Sequence, residues 1–202
     1  GGYCNCSTDN YTTIAGGYCN NASGPVSVIA GGERNQADQC FAFIGGGQQN
    51  IVKQFYGTIA GGCGNYVAGL AGTIAGGTGN SLSGVDAQQR SCAFIGGGQQ
   101  NIASGRHVTI GGGKCNTASG CGSTITGGIS SYATGGFSFI GGGVSNCVTH
   151  DCSSAIGVGV HSVSGCMLHA NKLWLSAGAL PTSDPGVVGV VWNSSGTLKI
   201  SV

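Results

Sequence analysis

Charge is what this sequence has least of. Seven basic and six acidic residues among 202 leave a net charge of +1. Binding to a phosphate backbone requires clustered Lys and Arg, so a nucleic-acid partner is excluded. The acidic residues Asp9, Glu33, Asp38, Asp86, Asp151 and Asp184 share no common spacing. That removes the paired carboxylates of a glycosidase and the Asp column of calcium-binding β-helix repeats. There is no CxxC, and His107, His150, His161 and His169 form neither HxH nor HExxH. The cysteine spacings make no zinc ribbon or knuckle, so no metal or other cofactor is expected. Nucleophile, base and oxyanion donors assemble nowhere in the pattern, which points away from an enzyme. No apolar run approaches the roughly 18 residues of a spanning helix, so membrane insertion is not expected either. The first residues carry no signal-peptide pattern.

What is abundant is glycine, 43 residues, and it is periodic. The phrase Thr58-Ile59-Ala60-Gly61-Gly62-Cys63-Gly64-Asn65 returns with its Ile at Ile14, Ile29, Ile44, Ile59 and Ile74, each 15 residues apart. After a step of 21 it resumes at Ile95, Ile110, Ile125 and Ile140, again 15 apart, with a weaker copy read at Ile156 after a step of 16. Six residues after the Ile stands an Asn: Asn20, Asn35, Asn50, Asn65, Asn80, Asn101, Asn116 and Asn146, with Ser131 the one substitute. Two residues further on is a small or apolar column, from Ala22 and Ala37 to Ala133 and Val148. The chain opens on Gly1-Gly2-Tyr3-Cys4-Asn5, which matches 16–20, and so reads as starting inside a repeat.

A fixed period with fixed columns is the mark of a repeat protein. Paired Gly in every period break helices, whereas two short strands and two bends fit 15 residues. The expected fold is therefore all-β, a β-solenoid in which one period is one coil and equivalent residues stack about 4.8 Å apart. The Ile column fills the interior, and coils are stable only when stacked. The Asn column is expected to ladder amide hydrogen bonds between coils, with sugar binding as the alternative. The surplus of the 21-residue step fits Val85, Asp86, Ala87, Gln88, Gln89 and Arg90, a surface loop and a candidate receptor contact. The array is expected over residues 1–165. Residues 166–202, with strands near 171–175, 187–192 and 197–202 and both Trp residues, read as a small β cap.

Eleven cysteines fall partly in register, with Cys4, Cys19 and Cys115 in one column and Cys40 and Cys121 in another. Cys4 and Cys19 are one coil apart, within reach of a disulfide of the kind that implies an extracellular protein. The competing reading makes the cysteines small buried hydrophobes. A single roll this thin buries little apolar surface, so a homotrimer is expected, with the small residues of the second column letting three rolls approach one axis.

The columns resemble the head repeats of trimeric autotransporter adhesins of the YadA type. Ser138-Phe139-Ile140-Gly141-Gly142-Gly143 and Ala118-Ser119-Gly120 carry the likeness best. That resemblance implies a left-handed parallel β-roll assembled from three chains. Within these 202 residues there are no coiled-coil heptads and no anchor barrel. The tail, Leu173-Trp174-Leu175, Leu180-Pro181-Thr182-Ser183-Asp184-Pro185-Gly186 and the run Val191 to Ser201, is instead similar to the C-terminal ends of tail-fibre proteins of phages and algal viruses. Together these resemblances imply a trimeric viral fibre or spike on the virion surface. Its partners would be other virion proteins and a host-surface glycan or protein receptor. A bacterial adhesin head is the alternative. Ice binding is a third reading, weakened because the column before the Ile mixes Thr with Val and Phe.

Overall fold

The computed structural model describes residues 1–84, 92–170, 191–194 and 197–200. The chain divides into two units, residues 1–171 and 172–202. In the first unit, Gly and tight corners interrupt the chain so often that most strands are two residues long. Thr58–Ile59 and Tyr66–Val67 are typical. Such strands are stable only as members of long ladders. Among the described residues one ladder has eleven strands, from Thr13–Ile14 to Leu168–Ala170, and the other has ten, from Cys6–Ser7 to Cys147–Val148. All their pairings are parallel, and each joins equivalent positions of successive coils, such as Thr58 to Thr73 and Tyr66 to Ser81. A third line of single bridges runs Tyr18, Glu33, Gln48, Cys63 and onward. The first unit is thus a parallel β-solenoid of 15-residue coils.

Ile29, Ile44, Ile59, Ile74, Ile95, Ile110, Ile125 and Ile140 are wholly buried, and Ile14, in the first coil, is partly so. Side chains of a strand alternate between its two faces. The residue before each Ile therefore points outward, and the one before that turns inward again, as Ala42, Ala93 and Val108 do. The second column, Ala22 through Val148, is also completely buried and belongs to the same core. This corrects the expectation that its small residues face other chains. They are small because they close the chain's own narrow interior.

The six surplus residues of the 21-residue step do not disturb the stack. Thr73 pairs with Phe94 and Ile74 with Ile95, as if one ordinary period separated them. Val85, Asp86, Gln88, Gln89 and Arg90 lie outside the described residues.

The end of the array differs from the reading of its sequence. Ile140 pairs with Ala155, which is fully buried, whereas Ile156 is 49% exposed. The step is therefore 15 and not 16, and the outward residue is Ser154. The irregularity lies between Ile140 and Gly143, after which Gly143 pairs with Gly157, a step of 14. Burial of an Ala in register prevails over the larger Ile one place out of it. The same step of 14 carries into the next coil: Ala155 pairs with His169, so the ladder continues past residue 165.

In the second unit, Val191–Ser194 and Thr197–Ile200 form an antiparallel hairpin, with Ser194 opposite Thr197. Two of the expected tail strands coincide in part with it. The one expected at 171–175 lies outside the described residues.

The core assignment makes a directional prediction. Ile59→Asp places an unpaired charge in a dry column and should cost at least ~3 kcal/mol, against under ~1 kcal/mol for Thr58→Asp on the outer face. Urea midpoints of the two variants measure this, and equal midpoints would contradict the assignment.

Candidate functional site

Each coil carries one feature that fixes its distance to the next. Asn50 is completely buried, and its Nδ2 donates to Asn35 Oδ1 at 3.2 Å, to Gly46 O at 3.0 Å and to Gly62 O at 2.9 Å. Its Oδ1 accepts the backbone N–H of Asn65 at 3.0 Å and that residue's Nδ2 at 3.1 Å. The same set recurs at Asn20, Asn35, Asn65, Asn80 and Asn101, and it spans the 21-residue step with Asn101 Nδ2 to Asn80 Oδ1 at 3.1 Å; Asn116 makes the same three donations. These Asn are wholly internal and fully partnered, which supports the expectation of a ladder over that of a sugar site.

Glycine three residues earlier makes the approach possible. Gly47 sits at φ 89°, and a Cβ there would collide with the Gly62 carbonyl of the next coil. At Ser131 the chain of side-chain amides breaks. Its N–H still donates to Asn116 Oδ1 at 3.1 Å, and its Oγ accepts from Asn146 N at 3.3 Å. Asn146 Oδ1 then accepts the Val160 N–H at 2.9 Å.

The corners were the feature least legible in the sequence. Every described coil has two corners at φ between 38° and 67°, and most residues at these corners are not glycine. Val26, Phe41, Tyr56, Ala71, Cys92 and His107 hold φ between 38° and 60° in one corner column. A β-branched or bulky side chain is costly there. Each corner is held by a backbone bond to the preceding coil, such as Tyr56 N to Cys40 O at 3.2 Å and Phe137 N to Cys121 O at 2.7 Å. The ladder thus imposes a conformation that local preference disfavours. Corner side chains point outward and stack, as Phe41 does on Tyr56 with ring centroids 5.1 Å apart. At the first coils Tyr3 stacks on Tyr18 at 5.7 Å, with the Arg34 guanidinium over the Tyr18 ring.

Six cysteines occupy these corners: Cys4, Cys19, Cys92, Cys115, Cys152 and Cys166. All are at least partly open to solvent, which sets aside the reading of the cysteines as buried hydrophobes. Cys4 and Cys19 are stacked as their spacing implied, with Cys19 N donating to Tyr3 O at 2.9 Å. A second pair, Cys152 and Cys166, is stacked in the same way, with Cys166 N donating to Asp151 O at 3.0 Å. A hydrogen bond to Cys166 and its nearby charge raise the Cys152 thiol above its ordinary pKa, with smaller contributions from burial and Asp151.

The outward faces differ in chemistry. The face of the second ladder holds a cross-coil polar cluster: Asp38 accepts from Ser23 Oγ at 3.0 Å and Gln36 Nε2 at 2.8 Å and pairs with Lys53. Burial pushes the Asp38 carboxyl up, but these hydrogen bonds outweigh it and the pKa falls below the ordinary value. The line of single bridges carries Glu33 and Lys114. The outer face of the Ile ladder has no charged residue among those described. Its columns read Thr13, Val28, Phe43, Thr58, Thr73, Phe94 and onward, beside Ala15, Ala30, Gly45, Ala60, Ala75 and Gly96.

A longer period appears on this face. Phe43, Phe94 and Phe139 recur every third coil, with two Thr coils between successive Phe. At a rise of about 4.8 Å that spacing is roughly 14 Å. Each Phe precedes a glycine by two residues, and in two of the three coils the ring lies across it: a Cβ on Gly96 would be 3.4 Å from Phe94 Cε1, and on Gly141 3.2 Å from Phe139 Cε1. Phe-Ile-Gly-Gly-Gly, present three times, was the signal for this and was readable in the sequence.

A Ser–His contact also occurs, His150 Nδ1 to Ser162 Oγ at 2.9 Å. That hydroxyl already accepts from Thr149 N at 3.0 Å and His150 N at 3.3 Å, so it closes a turn. No three His, Cys, Asp or Glu gather in a metal-binding group among the described residues. No family model matches the chain, and no curated protein matches it.

The ladder predicts opposite outcomes for two substitutions. Asn50→Ala leaves several buried polar groups unpartnered and should cost about 3 kcal/mol or more, whereas Ser131→Asn should rejoin the ladder and gain about 1 kcal/mol. Denaturant titration measures both, and a stabilising Asn50→Ala would contradict the ladder's role.

Proposed function

We propose that this chain is a non-enzymatic structural module of a fibre or spike. In this reading it works as a homotrimer on a virion surface and takes part in host attachment. The observation that carries the reading is the outer face of the Ile ladder, uncharged among the described residues, in continuous register across the 21-residue step and ridged by Phe43, Phe94 and Phe139. Phe43 and Phe94 are each 40% exposed. Apolar surface arranged in this way is usually an association site. A second copy of the chain matches it best, because only a partner with the same coil rise keeps ridge and recess in register along its length. Few charges oppose such contact. The remaining faces, with their stacked aromatics and polar columns, stay outward and are repeated threefold, which raises avidity for a dense host surface. The likeness of the tail to viral fibre ends favours the virion over a bacterial adhesin head. The interrupted Thr column weighs against ice binding.

Light scattering on reduced, dilute protein tests the assembly. The expected mass is three times the 19.7 kDa of one chain. The triple variant Phe43→Lys, Phe94→Lys, Phe139→Lys is expected to run as a folded monomer. A stable wild-type monomer would overturn the trimer, and an unchanged trimer in the variant would overturn the choice of face. Immuno-electron microscopy of intact particles tests the virion placement, and an absence of label on particles would contradict it.

A further inference from the structure

Of the six corner cysteines, only two pairs occupy the same corner of consecutive coils. Cys92 is flanked along its column by Ala71 and His107, and Cys115 by Gln100 and Ser130. Cys4 and Cys19 form one pair, in the first two coils. The other was hidden in the sequence because its separation is 14 residues, the period of the shortened last coil, and not 15. The structure shows that Cys152 and Cys166 are equivalent. Both sit in the left-handed region, at φ 54° and 56°. Cys152 N donates to Gly136 O at 2.8 Å, and Cys166 N donates to Asp151 O at 3.0 Å. This is the corner bond that stacks each such residue on its predecessor. Equivalent residues of neighbouring coils are about 4.8 Å apart, inside the 4.4–6.8 Å Cα window of a disulfide. Both thiols are exposed.

We propose that Cys152 and Cys166 are joined by a disulfide that staples the last coil of the solenoid to the one before it. The chemistry is thiol–disulfide exchange with a small-molecule disulfide such as oxidised glutathione. One cysteine thiolate attacks a glutathione sulfur, releasing one glutathione thiolate and leaving a mixed disulfide. The second cysteine thiolate then attacks the protein sulfur of that bond, releasing the other glutathione. The two protons lost by the cysteines end on two reduced glutathione molecules, and the two electrons reduce the glutathione disulfide. The physical role follows from position. Among the described residues Leu168–Ala170 is the edge strand of its ladder, and ladder bonds fray first at the edge of a stack of nearest-neighbour units. A covalent link at the corner holds that edge coil to the one before it. Cys4 and Cys19 stand in the same arrangement in the first two described coils.

Peptide mapping of the full chain is the test, after equilibration in a mixture of oxidised and reduced glutathione, alkylation at low pH and peptic digestion. The expected product is a linked pair of peptides containing Cys152 and Cys166, lighter by two hydrogens than the reduced pair and separated by a reductant. Recovery of both residues singly alkylated, or of either linked to another cysteine, would overturn the proposal. Cys152→Ser should expose Cys166 to maleimide in the same buffer, while Cys147→Ser leaves both unreactive. If Cys152→Ser fails to fold, the wild-type map still decides. Reduction should raise amide exchange between residues 153 and 168 by tenfold or more and leave the coil of Ile59 unchanged; equal exchange in both states would remove the stapling role.

Discussion

The structure depends on how closely one coil can approach the next. A close approach recurs at the Gly three residues before each buried Asn, where the backbone of one coil meets the carbonyl of its neighbour with no room for a side chain. That proximity brings each Asn amide within reach of three acceptors at once: the carbonyls of its own turn and of the following coil, and the Asn of the preceding coil. A buried amide costs free energy unless it is fully partnered, so the column stabilises one stacking distance and penalises others. The two-residue strands, the Ile stack and the left-handed corners all conform to that distance.

Much of this was legible in the sequence, for a reason that applies to solenoids in general. Stacking places each residue type against its own equivalents, so a requirement for Ile, Asn or Gly at one coil recurs at the next and appears as a column. The Ile and Asn positions and the uninterrupted register across the six surplus residues could therefore be read directly. What could not be read was the direction each column faces when two columns are both small and apolar. Ala22 and its equivalents fit a close contact between chains as well as a narrow core, and only the geometry separates the two. Near Ile156, composition misled because a large Ile out of register looks more like a core residue than the Ala beside it.

The corners were illegible for a different reason. Left-handed backbone usually signals itself through Gly or Asn, yet here Val26, Phe41 and Tyr56 adopt it because the inter-coil bond outweighs the local preference. An outward corner then becomes a place where any side chain is displayed at a fixed interval. Aromatics stack there, and cysteines are brought together wherever two consecutive coils each supply one. The Phe ridge on the Ile-ladder face is a slower variation on the same theme. A three-coil pattern is superimposed on a one-coil frame, and a glycine follows each Phe two residues on.

The central claim is that buried Asn amides lock the coils together, and side-chain amide hydrogen exchange followed by NMR measures this most directly. The Nδ2 protons of Asn35, Asn50, Asn65, Asn80 and Asn101 are each tied to neighbouring coils, whereas Asn10 is exposed. The account predicts exchange at least a hundredfold slower for the five than for Asn10, with the slowest near the middle of the stack. Exchange of all six at the same rate would contradict it.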